Sequence, residues 1–170
     1  MCNRHHETLK QFYIICFHYS CLKRQNIYEN IIYDYLRENN RDVIKLPSRG
    51  PESVYLTFNG ISIGGPDHTD STKSLDFYEE ISDKEIYYYH KYTEVQGGGQ
   101  GNQYNDLKNF VRLAEKYSKN HQDIKIFVAV ADGPYYGGAK LDTLARIAGE
   151  YIDRRIFIVQ WHDLLDKIIF

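Results

Sequence analysis

Two aromatic runs separated by a polar turn constrain this chain more than any other feature: Lys73-Ser74-Leu75-Asp76-Phe77 and Tyr87-Tyr88-Tyr89-His90-Lys91-Tyr92-Thr93-Glu94. Runs rich in Tyr, Phe, Leu and Ile, joined through Ser82-Asp83-Lys84, read as a β-hairpin. Strand side chains alternate between faces, so Asp76, Tyr78 and Glu80 share one face, and Tyr89, Lys91 and Thr93 share another. A turn near Ser82-Asp83 allows both sets to lie on one side of the sheet. An acid and a lysine placed together there could hold a divalent cation and position a water for phosphodiester attack. The plainer reading is a strand-edge acid in a surface ion pair with Lys91.

The rest of the chain supplies alternating elements. Asn26 to Arg37 carries helical spacing through Ile27, Ile31 and Tyr35 with Ile32 and Leu36, and Asn39-Asn40 ends it. Val43 to Leu46 reads as a short strand or linker, and 53–63 as one or two strands around the turn pair Asn59-Gly60. Beyond the hairpin, Gly97-Gly98-Gly99-Gln100-Gly101 is a flexible loop. Asn102 is placed to cap a helix with Tyr104, Leu107, Val111 and Ala114 on its buried stripe. Ile124 to Ala131 is almost wholly apolar, as a strand covered on both faces is. Lys140 to Tyr151 returns to helical spacing, 156–159 is a last buried strand, and 162–169 a last short helix. The expected fold is α/β, a central mixed β-sheet flanked by helices in the order α-β-β-β-α-β-α-β.

Length and charge narrow the class. A chain of 170 residues is expected to form one domain over 1–170, with a helical segment at 1–50 and a core at 51–170. No apolar run approaches the roughly 18 residues of a membrane span, and no small-residue cleavage site follows the apolar stretch 12–17, so no signal peptide is expected. Cys2, Cys16 and Cys21 are odd in number and clustered, which suits reduced thiols in a cytoplasmic protein. A zinc site from Cys16, His18 and Cys21 with His5 or His6 lacks a second half at finger spacing. The net charge of −2 gives no whole-protein signature for nucleic acid. Lys108, Arg112, Lys116 and Lys119 would form one basic helix stripe, and a solvated face explains such a stripe more often than phosphate contacts do.

The ordered series resembles the PD-(D/E)XK nuclease superfamily, in particular type II restriction endonucleases with FokI-like cleavage domains. Asp76 matches the first acid and Lys91 the lysine of the acid-X-Lys triplet. The 103–111 segment matches a helix with Gln103 near its start. Ile126-Phe127-Val128-Ala129-Val130, the bend at Gly137-Gly138 and Ile156-Phe157-Ile158-Val159 match the elements that follow. The likeness spans roughly 70–165. One position departs from it: Tyr89 stands where the family has an acid, and a phenol is a poor metal ligand at neutral pH. Glu80 on the same strand face, Glu29 on the first helix, or a slipped register reading Glu94-Val95-Gln96 could each supply the missing acid. In the slipped register Gln96 takes the lysine's place.

The resemblance implies a restriction-endonuclease-like core and Mg²⁺-dependent hydrolysis of double-stranded DNA. Its catalytic residues would be Asp76, Lys91, Glu94, Glu80 and Gln103, and its metal ligands would come from Asp76, Glu80, Glu94 and Glu29. DNA contacts would come from Gln96, Gln100, Asn102, Gln103, Asn105 and Lys108. The amides could read adenine edges, although such residues are equally common at helix starts. A homodimer is implied, because cutting both strands needs two active sites, and a cognate DNA methyltransferase would accompany a restriction system. The alternatives are a repair, recombination or phage nuclease of the same superfamily, or a catalytically inactive DNA-binding remnant.

Overall fold

The computed structural model describes residues 24–66, 70–94 and 100–168. The cysteines, the zinc reading of the N-terminal segment, Gln96 and the glycines at 97–99 lie outside these residues.

The hairpin is present and its turn is tight. Strand β4 (Phe77–Ile81) pairs antiparallel with β5 (Lys84–Tyr92) through Phe77↔Tyr88, Glu80↔Glu85 and Ile81↔Lys84. Ser82 and Asp83 both have positive φ, 49° and 65°, the conformation that lets a two-residue turn follow the twist of its strands. The first strand starts later than its sequence suggests. Residues 73–76 run ahead of β4 because Leu75 donates its N–H to Val54 O at 2.7 Å and Thr72 donates to Leu56 O at 2.8 Å. Those bonds tie the segment to a separate ribbon made of β2 (Val54–Thr57) and β3 (Gly60–Ile63). Within that ribbon the turn residues are Phe58 and Asn59, with Gly60 opening β3 at φ 128°. Thr57 Oγ1 accepts from the Asn59 N–H at 3.2 Å and donates to Gly60 O at 2.9 Å, which shifts the turn one residue earlier than expected.

The main sheet has five strands in the order β1-β4-β5-β6-β7, with β1 at Ile44–Lys45, β6 at Lys125–Asp132 and β7 at Ile156–Val159. Strands β5, β6 and β7 are parallel, whereas β1 and β4 are antiparallel to their neighbours. The sheet is therefore mixed and the fold is α/β. Helix α1 (Arg24–Glu38) precedes β1. Helix α2 (Gln100–Asn120) connects β5 to β6, α3 (Gly138–Ala148) connects β6 to β7, and the short α4 (Leu164–Lys167) follows β7.

Two hydrophobic layers enclose the sheet. One face sets Tyr87, Tyr89, Phe127, Ala129 and Ile156 against Leu107, Phe110, Val111 and Ala114 of α2 and Leu144 and Ala148 of α3. The other sets Phe77, Ile86, Tyr88, Val128 and Val159 against Ile32 and Leu36 of α1 and Leu164 of α4. The α2 stripe at 107, 110, 111 and 114 is fully buried, and truncating its one aromatic, Phe110, to alanine costs about 3–5 kcal/mol. Asn102 does not cap α2, because the helix already begins at Gln100. First-turn N–H groups have no intrahelical partner to lose. Among the described residues no helix is long and apolar enough to cross a membrane.

Candidate active site

Because β4 runs against β5, the residue that leads into β4 and the last residues of β5 meet at one end of the sheet. The same end receives the carboxyl ends of β6 and β7, where open α/β sheets form their ligand crevices. Asp76 is fixed there by its backbone, donating its N–H to Tyr88 O and accepting from Leu46 N–H, both at 2.9 Å. Its Oδ2 accepts the His90 N–H at 2.7 Å and stands 3.8 Å from Lys91 Nζ.

Lys91 is held on several sides. Its ammonium donates to His90 O at 2.7 Å and lies 3.9 Å from the centre of the Tyr89 ring. The two charged side chains are only 13% (Asp76) and 11% (Lys91) exposed, so they are partly desolvated yet still reach the surface. At such a separation the attraction is about 4 kcal/mol at an effective dielectric near 20, before the cost of desolvation is set against it. The expected convergence of residues 76 and 91 on one face is therefore present in the geometry.

Tyr89, at the position where the resemblance wants an acid, is completely buried and stacked on Phe110 at 5.1 Å. Burial, and after it the neighbouring carboxylates of Asp106 and Asp76, push its phenol well above the ordinary value. It remains a neutral hydroxyl and cannot stand in for a carboxylate. Next on the same face, Thr93 hydrogen-bonds Gln103 Oε1 at 2.5 Å and the Tyr136 hydroxyl at 3.1 Å. Gly133 makes this junction possible: at φ 95° a Cβ there would lie 2.4 Å from Thr93 O, a clash no L side chain avoids.

The other expected residues divide by position. Glu80 is exposed beside the turn, opposite Glu85. It stands four positions beyond Asp76, about 13 Å at 3.3 Å per residue, so strand rise keeps it out of the site. Glu29 lies on α1, 3.7 Å from Lys45 Nζ. Glu94 is exposed and lines an open groove of about 660 Å³ with Tyr135, Gly137, Gly138 and Lys140. Gln103 joins the site through Thr93, Asn102 and Asn105 are exposed on α2, and the Lys108 ammonium rests 5.0 Å from the Tyr104 ring centre. Gln100 begins α2, and its side chain is not among those described. His90 is buried on the opposite face, with Nε2 3.9 Å from Asp132, where strand alternation places it.

The basic stripe of α2 is largely committed to the fold. Arg112 grips Asp70 through both terminal nitrogens, and Lys116 lies 4.8 Å from the Phe58 ring centre. Asp106 was not singled out from the sequence, yet it lies in this corner and accepts a hydrogen bond from Lys73 Nζ at 2.7 Å. Its signal was an acid at i+3 from Gln103 and i−4 from Phe110, on a stripe that is otherwise buried.

Among the described residues no three His, Cys, Asp or Glu side chains gather as a metal-holding group. Mg²⁺ keeps several waters and is commonly held by only one or two carboxylates, so the oxygen donor offered by Asp76 fits a hydrated ion of that kind. In comparisons with protein-family models, with curated proteins and with solved structures, nothing matches this chain.

Proposed function

We propose that this chain is a Mg²⁺-dependent endodeoxyribonuclease of the PD-(D/E)XK kind, most simply the catalytic core of a type II restriction endonuclease. The observation that carries the reading is the Asp76–Lys91 pair, 3.8 Å apart at the carboxyl end of the parallel strands and partly open to solvent. Lys73, Lys108 and Lys140 belong to the same end, through Asp106, through Tyr104, and through the 3.3 Å bond from Tyr104 Oη to Lys140 O. Cations around such a mouth suit a polyanionic backbone.

Phosphodiester hydrolysis needs charge on the phosphate oxygens offset and a water aimed in line with the leaving oxygen. Mg²⁺, held through Asp76, would supply charge neutralisation and a more acidic water. Asp76 orients donors by accepting from the His90 N–H and facing Lys91. Lys91 brings a positive charge whose position is fixed by His90 O and the Tyr89 ring, so little reorganisation accompanies the build-up of charge on phosphate. Gln103 steadies Thr93, and through it the end of β5. Double-stranded DNA as substrate, a homodimer, a cytoplasmic location and a partner methyltransferase belong to this proposal. The neutral phenol of Tyr89 favours a second reading, a DNA-binding remnant that has lost cutting.

The test is cleavage of supercoiled plasmid by the purified chain with Mg²⁺. Cutting that falls by several orders of magnitude in both Asp76→Asn and Lys91→Ala supports the proposal. DNA binding without cutting by the wild-type chain points to the remnant, and cutting unaffected by either substitution rules out this site.

A further inference from the structure

A buried hydroxyl at this site lacks a partner. Tyr89 is completely buried, and its Oη makes no hydrogen bond among the described residues. Such a group costs about 1–3 kcal/mol. It persists where something bound there, such as a water, satisfies it.

The packing of α2 on β5 shows what surrounds that hydroxyl. Gln103 is bonded to Thr93, and Phe110 is stacked on Tyr89. Asp106 lies between these two contacts on the same helix face, and Lys91 lies between them on the strand. Asp106 therefore stands near the level of Lys91, and Asp76, bonded to Tyr88 O through its N–H and to the His90 N–H through Oδ2, meets Lys91 from the neighbouring strand. The carboxylates acting most strongly on the Tyr89 hydroxyl are those of Asp106 and then Asp76. Two acids, from a strand entrance and a helix, thus flank one unsatisfied hydroxyl.

We propose that Asp106 is the second acid of this site, and that Asp76 and Asp106 together hold a hydrated divalent cation, with the Tyr89 hydroxyl bonded to one of its waters. The inference rests on the hydrolase reading only for the use to which the cation is put. Lys73 now covers Asp106, but its side chain is 68% exposed. Such a pair is worth about 0–1 kcal/mol and is readily displaced. A hydrated Mg²⁺-type ion, and not Zn²⁺, suits a site made of carboxylates and a neutral hydroxyl.

Mn²⁺ binding to the full chain, followed by loss of the free-ion EPR signal, tests the assignment without DNA. Wild type is expected to bind one ion, with affinity falling about tenfold or more in Asp76→Asn and in Asp106→Asn, and unchanged in Glu80→Gln. Tyr89→Phe is expected to weaken binding about fivefold, the equivalent of one hydrogen bond near 1 kcal/mol. Lys73→Ala is expected to strengthen it, which a purely structural ion pair would not do; this variant carries the test if Asp106→Asn fails to fold. Wild-type affinity in Asp106→Asn and unchanged affinity in Lys73→Ala would overturn the inference, even if Asp76→Asn still abolished DNA cutting. Binding through both acids without any cutting would support the inference and overturn the hydrolase reading instead.

Discussion

Asp76 and Glu79 stand three residues apart on one segment, and the sheet turns them to opposite faces with opposite consequences. Glu79 is completely buried and locked: Arg41 Nε reaches its Oε2 at 3.0 Å, Arg41 Nη2 reaches its Oε1 at 2.5 Å, and Tyr88 also donates to Oε1. Arg41 additionally donates to Ile168 O at 3.3 Å, which ties the C-terminal segment to the same charge. Asp76 meets its lysine at 3.8 Å, uses one oxygen for a backbone N–H and keeps solvent contact. A bidentate, enclosed pair has one geometry and fixes the fold. A looser pair at a sheet end can exchange partners, which a site for anions or cations requires. Burial of an acid and a base together is therefore common to both pairs; what differs is how completely each is satisfied.

The sharpest way to break this contrast is to remove the charge from each acid in turn. Glu79→Gln strands the Arg41 guanidinium, 14% exposed, and is expected to cost about 3–5 kcal/mol in urea unfolding. A loss under about 1 kcal/mol would show that the enclosed pair is no lock.

A smaller effect is expected at alkaline pH. Tyr136, buried at the site end, has its phenol pushed up to about 12, chiefly by burial. The unfolded chain releases that proton near pH 10 and the folded chain only near 12. The stabilisation is thus complete below pH 10 and is lost as pH rises through the folded value. A shift of two pH units is worth roughly 2–3 kcal/mol. Tyr88 and Tyr89, displaced in the same direction by burial, should reinforce it. Far-UV circular dichroism should therefore be lost at alkaline pH, and the fall of stability with pH above 10 should be shallower in Tyr136→Phe; identical pH profiles for wild type and variant would contradict this.

The smallest effect on stability is expected at the candidate site. In Asp76→Asn the amide oxygen can still accept the His90 N–H, and Lys91 keeps its bond to His90 O and its place on the Tyr89 ring, so unfolding free energy should change by about 1–2 kcal/mol, less than in Glu79→Gln. A larger loss would make Asp76 a second structural lock and erase the contrast with Glu79.

Much of the sheet was legible from its local pattern. The two-residue turn at Ser82-Asp83, the shared face of Asp76 and Lys91, the apolar strand β6 and the closing strand β7 all follow from a side-chain period of two and from turn chemistry. β4 starts only at Phe77 because Thr72 and Leu75 bond to β2, a pairing nothing local announces. Glu80 is a plausible ligand by its strand face, but strand rise separates it from Asp76, and Glu29 lies beside Lys45. Asp106 is not legible as a neighbour of Tyr89, because an acid in the first third of a helix usually faces water.

The sequence alone determined which side of the hairpin each residue would occupy, since alternation is set residue by residue along an extended backbone. Only the tertiary structure decided which acid became a buried lock and which stayed open. That outcome depends on Arg41 approaching one face from beyond α1 and on α2 carrying Asp106 across the other. Both acids meet their partners across long separations, Lys73 lying 33 before Asp106 and Arg41 lying 38 before Glu79, and no periodicity encodes a meeting at that distance.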